Sequence, residues 1–114
     1  MQNVYLSLIL ISGKYLSLLE VMLLMKTKLE LAREIINDVD AKMIELFIKR
    51  MEAAKMVAEY KSDNNLPILD QKRENLLKEK NLKILNNKEL EEYYLTFIEG
   101  MLTASKDYQK DLIK

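Results

Sequence analysis

The amino-acid sequence predicts an all-α protein with three helices per chain, one of them very long, forming an intertwined helical homodimer. Only two glycines and one proline occur among the 114 residues, so few positions interrupt a helix. Between residues 29 and 61, apolar residues recur at steps of three, four and seven, which is the spacing of one buried helical stripe. The helix that carries this stripe is too long for its own chain to cover, which predicts a second copy beside it.

The composition excludes several classes of function. The 18 basic and 18 acidic residues give no net charge, whereas nucleic acids and anionic membranes attract proteins with a basic field. We therefore expect neither a nucleic acid nor a membrane as a partner. The chain has no cysteine and no histidine, which excludes disulfides and thiol nucleophiles and removes the commonest metal ligand and general base. We expect no metal, and chemistry that uses carboxylates, cations, hydroxyls and amides.

Residues 1–25 form an apolar extension that precedes the regular helical pattern. Its two apolar runs, 4–12 and 15–25, are each shorter than the roughly 18 residues of a membrane span, and charged residues fall between and within them. The extension lacks the basic start and the small-residue cleavage site of a secretory signal, so we expect a cytoplasmic protein. We interpret it as additional helix, or as residues that precede a later start at Met22 or Met25. The alternative is a role in packing or export.

The predicted domain spans residues 26–114, and its first helix runs from about Lys26 to Ser62. Its apolar stripe consists of Leu29, Ala32, Ile36, Val39, Met43, Leu46, Ala53 and Val57.

Three basic residues lie on or beside this stripe. Arg50 occupies its missing step, Lys61 continues it, and Arg33 flanks it. Guanidinium and ammonium groups are rarely buried unless an anion pairs with them. The stripe therefore predicts an anion-binding site.

Two shorter helices follow the first. The second begins after Pro67, with Asp70 as its N-cap, and fades at Asn86-Asn87. The third begins near Lys88 and reaches the C-terminus, with an apolar face that includes Leu90, Tyr94, Phe97, Ile98, Met101 and Leu102. No linker or internal repeat separates these helices, so the sequence predicts one domain.

The length of the first helix also predicts how its cations are used. At about 1.5 Å per residue it is roughly 55 Å long, whereas a compact domain of this size has a radius of gyration of about 13 Å. Arg50 and Lys61 lie about 16 Å apart along the axis on nearly the same face, so both can reach one small ligand. Arg33 lies about 42 Å from Lys61 along the same helix and can join such a site only from a partner chain.

The spacing of the charged residues is similar to the motif of a known family. The motif is matched by Arg33, Asp40, Arg50 and Lys61, by Leu66-Pro67-Ile68, Asp70 and Arg73-Glu74, and by Ser105 and Gln109. The chain thus resembles the all-helical, type II class of chorismate mutase over about residues 26–112. Close relatives in that family form an entwined helical dimer with two active sites, which agrees with the helix geometry.

The resemblance implies that the chain converts chorismate to prephenate, in the biosynthesis of phenylalanine and tyrosine, without a cofactor. Chorismate carries two carboxylates and an enol ether. By similarity, Arg50 and the Arg33 of the partner chain clamp the carboxylates. Lys61 and Gln109 hydrogen-bond the ether oxygen as negative charge develops there.

Four further residues take their roles from the same resemblance. Glu74 and Asp70 bind the ring hydroxyl or orient neighbouring groups. Arg73 contributes a carboxylate contact or supports one, and Ser105 contacts a carboxylate. The residues expected to act in catalysis are Lys61, Gln109, Glu74 and Arg50.

Alternative interpretations remain open at this point. Taken singly, each residue has an ordinary structural explanation. The arginines could form ion pairs, Lys61 could interact with the helix dipole, and Asp70 could be only an N-cap. Isochorismate-pyruvate lyase shares the fold and a similar cationic site, but the helix start at Asp70-x-x-Arg73-Glu74 favours the mutase. A non-catalytic helical dimer would explain none of the cations.

Overall fold

The computed structural model describes residues 9–11 and 13–114. These residues form a hairpin of strands β1 (Ile9–Ile11) and β2 (Lys14–Leu16), followed by helices α1 (Leu18–Leu24), α2 (Lys28–Asp63), α3 (Gln71–Leu85) and α4 (Glu91–Leu112). A single 3-10 turn, Lys88–Leu90, precedes α4. Helix dominates the described chain, so the all-α class is confirmed. The chain divides into two compact units, one ending at Ile44 and the other beginning at Glu45.

The extension differs from the predicted helix. Strands β1 and β2 pair antiparallel, with Leu10 opposite Tyr15, and the turn between them contains Gly13 at a φ of 78°. That backbone conformation favours glycine, and the Ile-Leu-Ile run suits a strand, so a hairpin forms where the sequence analysis expected helix. The expectation of additional helix is therefore wrong for β1 and β2. The first apolar run, 4–12, falls largely outside the described residues.

Helix does form at the end of the extension. Ser17 and Glu20 make a capping box at the start of α1, because the Ser17 hydroxyl accepts from the Glu20 N–H and the Glu20 carboxylate accepts from the Ser17 N–H. Helix α2 has a cap of its own, since the Thr27 hydroxyl accepts from the Glu30 N–H at 3.1 Å. The start of α2 is thus stabilised locally.

Apolar side chains cover the first half of α2 without being buried by their own chain. The exposed large ones between residues 28 and 44 are Leu29, Leu31, Ile35, Ile36, Val39, Met43 and Ile44. Four of them belong to the stripe that the sequence analysis expected to be interior. A row of exposed apolar side chains this long indicates a surface that packs against something else.

The second unit is built from the end of α2, α3 and α4. Its buried apolar residues are Ala54 and Ala58 of α2 and Ile98 and Leu102 of α4. Ala53 and Val57 belong to the predicted stripe, whereas the buried residues are one position later in the sequence. The small alanine side chains allow a close approach of neighbouring elements. The stripe residues beside them are left to form the wall described below.

Helices α3 and α4 begin and end close to the predicted positions. Asp70 is the N-cap of α3, and Asn86 ends this helix in the left-handed conformation with a φ of 43°. Between the two helices, the Asn81 amide donates to the Tyr94 hydroxyl at 2.8 Å. The three helices predicted after residue 25 correspond to α2, α3 and α4. The prediction of three helices per chain is wrong by one, because the end of the apolar extension forms the short helix α1.

An ion pair between Lys78 of α3 and Glu99 of α4 also joins these helices. Hydrogen bonding by Lys78 is the main cause that lowers the pKa of the Glu99 carboxyl below its ordinary value.

None of the helices in residues 13–114 is long and apolar enough to cross a membrane.

Removal of residues 1–24 should leave the fold and the oligomeric mass unchanged, because the cap at Thr27 lies within the remaining chain. We expect a chain that begins at Met25 to keep the ellipticity per helical residue and the oligomeric mass of the full-length protein, as measured by circular dichroism and light scattering. A chain that begins at Leu29 is the matched control: it loses the Thr27 cap and should be less stable by about 1 kcal/mol. A Met25 chain that is unfolded, or that differs in oligomeric mass from the full-length protein, would show that the extension belongs to the fold.

Candidate active site

A pocket of about 360 Å³ opens in the second unit, between the end of α2 and helices α3 and α4. Seven of the eight residues that the sequence analysis assigned to a site line this pocket: Arg50, Lys61, Asp70, Arg73, Glu74, Ser105 and Gln109. Residues distant in sequence are thus brought together around one cavity.

The eighth residue, Arg33, is not among the residues that line the pocket. It lies in the part of α2 that belongs to the first unit, where it is exposed to solvent. A role of Arg33 in the pocket of a partner chain stays a prediction.

Helix α2 contributes the cations Arg50 and Lys61, which are both partly buried. The Lys61 ammonium donates to the backbone carbonyl of Ile68 at 2.6 Å. This bond ties the ammonium to the loop after α2, and α2 itself ends in a turn where the Leu66 N–H donates to the Lys61 carbonyl at 2.8 Å. The loop therefore orients the Lys61 side chain and leaves two ammonium hydrogens for a ligand.

The apolar part of the α2 wall consists of Ala53, Ala54 and Val57. Ala53 and Val57 are stripe residues, each directly before a buried alanine, so the end of the stripe that carries Arg50 and Lys61 faces the pocket. The end of the predicted stripe, from Arg50 to Lys61, therefore forms the α2 wall of the cavity.

Helix α3 contributes two carboxylates with different surroundings. Asp70 Oδ1 accepts from the Arg73 N–H at 3.0 Å, which is the N-cap bond, and the Asp70 side chain remains exposed. Glu74 is buried, and its Oε1 lies 2.9 Å from the Nζ of Lys106 in α4. Asp70 therefore stabilises the helix start whatever else it does, while Glu74 places a paired carboxylate in the cavity.

Helix α4 contributes a buried pair of neutral polar side chains, Ser105 and Gln109. The Gln109 Nε2 donates to the Ser105 Oγ at 3.2 Å. Among the described residues, the Gln109 Oε1 is a buried atom without a hydrogen-bond partner. An unpaired buried carbonyl oxygen is costly, so Oε1 needs a donor from a neighbouring side chain or a ligand.

The hydrogen-bonding capacity of the pair suggests how the amide is used. A hydroxyl both donates and accepts, so the Ser105 O–H can donate to Oε1 once the Gln109 amide turns over. The turned amide would satisfy Oε1 and present its two N–H donors to the cavity. A ligand that offers an acceptor oxygen at this point would favour that orientation.

Lys106 lines the pocket and was not identified by the sequence analysis. It lies between Ser105 and Gln109, three residues before the glutamine, and residues at that spacing are neighbours on a helix surface. The three-residue spacing from Gln109 is the feature of the sequence by which Lys106 could have been identified.

The charged side chains of the lining leave an excess of positive charge. Four cations, Arg50, Lys61, Arg73 and Lys106, face two carboxylates, Asp70 and Glu74, which leaves two formal positive charges. A small cavity with this balance suits an organic dianion, and guanidinium groups suit carboxylates in particular.

The family of the protein follows from a match to one protein-family model. The family model for chorismate mutase type II matches residues 32–110. The chain belongs to the type II chorismate mutase family. The matched region contains Arg33 and all of the pocket residues, and it leaves the hairpin and α1 outside. No curated protein and no solved structure gives a significant match to this member of the family.

The Asp70 cap can be tested separately from any role in the pocket. Asp70→Ala removes the acceptor of the Arg73 N–H and should lower the free energy of unfolding by about 1 kcal/mol. Asp70→Asn is the matched control, because asparagine caps helices about as well as aspartate and should retain most of the stability. Urea unfolding at one fixed protein concentration measures both values. Equal stability of the alanine variant and the wild type would show that the cap bond contributes nothing.

Proposed function

We propose that this protein is a chorismate mutase, which rearranges chorismate to prephenate in the biosynthesis of phenylalanine and tyrosine. The observation that carries the proposal is the pocket itself. In a member of this family, seven predicted site residues converge on one small cavity with two excess positive charges. Chorismate is a dianion of matching charge.

The chemistry of the rearrangement fits the residues present. One C–O bond of the enol ether breaks while a C–C bond forms, in a single pericyclic step. No proton is transferred and no nucleophile is needed, so the absence of cysteine and histidine is no disadvantage. The protein has to hold the substrate in a chair-like diaxial conformer and stabilise the charge that separates across the breaking bond.

Lys61 and Gln109 are the groups proposed to stabilise that charge. The breaking C–O bond leaves partial negative charge on the ether oxygen, and a preorganised ammonium near it stabilises the transition state more than the ground state. The bond to the Ile68 carbonyl supports preorganisation of Lys61, because it limits the orientations of the ammonium. The turned amide of Gln109 would supply a second donor.

Arg50 is proposed to bind one carboxylate of chorismate through its planar guanidinium fork. Ser105 and Arg73 are proposed to add carboxylate contacts, and the proposal is supported by their position in the lining of the same cavity. Glu74 is proposed to accept a hydrogen bond from the ring hydroxyl, with Asp70 orienting its neighbours. Arg33 of a partner chain would complete the carboxylate clamp.

We infer a homodimer from the surface of α2. Its first half carries seven exposed large apolar side chains, named above, along a helix of 36 residues. Association that buries such a face removes apolar surface from water, which is favourable. A second copy of the chain offers the same face, and a two-fold dimer would bury both at once. The same contact is the route by which Arg33 would reach a pocket.

Isochorismate-pyruvate lyase is the nearest alternative activity. That enzyme shares the fold and also binds a dianion at cationic side chains. The helix start at Asp70-x-x-Arg73-Glu74, in which Asp70 caps the Arg73 N–H and Glu74 is buried, resembles the mutase motif and supports the mutase.

Loss of the Lys61 ammonium should remove much of the catalysis. Lys61→Ala should cost roughly 3–4 kcal/mol of transition-state stabilisation, which is about two to three orders of magnitude in kcat, with a smaller effect on chorismate binding. Lys55→Ala is the matched control, because Lys55 is an exposed α2 lysine outside the pocket lining. Steady-state kinetics of both variants provide the measurement. A Lys61→Ala enzyme with nearly normal kcat would contradict the assignment.

Mixed dimers test whether each site is shared between chains. Arg33→Ala and Lys61→Ala homodimers should each be nearly inactive, since both of their pockets carry a defect. Unfolding and refolding the two variants together should yield heterodimers in which one pocket collects both substitutions and the other collects neither. Activity should then approach half of the wild-type value per heterodimer.

Native mass spectrometry supplies the control for this experiment by counting the heterodimers. If heterodimers form and activity is not restored, Arg33 acts within its own chain or only in the structure, and the shared site is wrong.

A further inference from the structure

Two lysine–glutamate pairs connect α3 to α4, and only one of them lies in the pocket. Lys106 pairs with Glu74, and both side chains line the cavity. Lys78 pairs with Glu99, and neither residue belongs to the lining. The two pairs join the same helices, so a purely structural role would be common to both. The pocket pair also determines which side of the cavity the Glu74 carboxylate occupies.

Burial distinguishes the pocket pair. The side chains of Lys106 and Glu74 are 24% and 11% exposed, whereas that of Glu99 in the other pair is 53% exposed. A carboxylate removed from water needs a charged or hydrogen-bonding partner, and Lys106 provides it at 2.9 Å. Without Lys106, the Glu74 carboxylate would have to find another cation.

Other cations are available in the same cavity, and they are the ones that the proposed reaction requires. Arg50, Lys61 and Arg73 line the pocket together with Glu74. Within the described residues, Glu74 forms its ion pair with Lys106 and with none of these three. A carboxylate that swung toward them would compete with the substrate carboxylates for the same donors. Lys106 thus keeps Glu74 on the α4 side of the cavity.

We propose that Lys106 is a positioning residue that holds Glu74 Oε1, so that the other carboxylate oxygen is presented to the substrate hydroxyl and the remaining cations stay free. This inference rests on the proposed function, because it assigns the hydroxyl contact to Glu74. Lys106 acts through Glu74 and does not itself contact the reacting atoms.

A double-mutant cycle in the full-length protein tests the proposal. Lys106→Met removes the ammonium with little change in side-chain length and should lower kcat/KM on the order of ten- to hundredfold, as misplacement of a substrate contact does. Glu74→Gln should also lower it. The double variant should be no worse than Glu74→Gln alone, because Lys106 acts only through Glu74. Lys106→Arg, which keeps the positive charge, should recover most of the loss.

Lys78→Met is the matched control, because it breaks the other α3–α4 pair outside the pocket. It should lower Tm about as much as Lys106→Met while kcat and KM stay within about twofold of the wild type. Should Lys106→Met fail to fold, Lys106→Gln takes its place in the cycle.

Each outcome of these measurements either supports or overturns the positioning role of Lys106. Additive losses in the double variant would mean that Lys106 contacts the substrate directly, and equal losses in Lys78→Met would mean that the pair is only structural; both overturn the positioning role. An active wild type with an unaffected Lys106→Met enzyme overturns it as well and leaves the proposed function standing. A wild type without activity on chorismate overturns the proposed function, and this inference with it.

Discussion

An ammonium or guanidinium group loses much of its hydration when it lines a small pocket, and that loss has to be balanced by an anion. Four cations line the cavity of the second unit, three of them partly buried and Arg73 exposed, against only two carboxylates. One of these carboxylates caps a helix and the other is paired with Lys106. The remaining positive charge has no protein partner to balance it within the cavity lining, and a bound dianion is the natural complement.

Helix α2 carries two different surfaces, a pocket wall and an exposed apolar face. Its end forms one wall of the pocket through Arg50, Lys61 and the small residues between them. Its first half exposes apolar side chains that need a cover. A helix that only supported a pocket within one chain would not carry this second surface. In the proposed dimer, the same helix therefore provides the wall of one site, the contact between chains and the Arg33 of the other site.

Much of the fold could be predicted from the sequence, because helix periodicity and caps are local signals. The start of α3 at Asp70 and its end at Asn86 follow from the preferences of those residues for the two ends of a helix. The hairpin of the extension was not predicted, since a short apolar run is ambiguous between helix and strand. The turn that contains Gly13 favours the hairpin, because the positive φ of this glycine helps to reverse the chain.

The site was predictable to the extent that its residues recur at family spacing. Seven of the eight predicted site residues line the pocket. The contacts among them could not be predicted, because those contacts depend on how three helices pack. Neither the Lys106 partner of Glu74 nor the unpaired oxygen of Gln109 could be derived from spacing alone. Both arise where α4 meets the other helices.

The most direct test of the central claim, that the pocket binds and rearranges chorismate, is a product analysis of the wild-type protein. Purified enzyme is incubated separately with chorismate and with isochorismate, and the products are identified by chromatography and mass. Conversion of chorismate to prephenate, with no faster release of pyruvate from isochorismate, is the predicted result. Release of pyruvate and salicylate from isochorismate, with chorismate left unchanged, would contradict it.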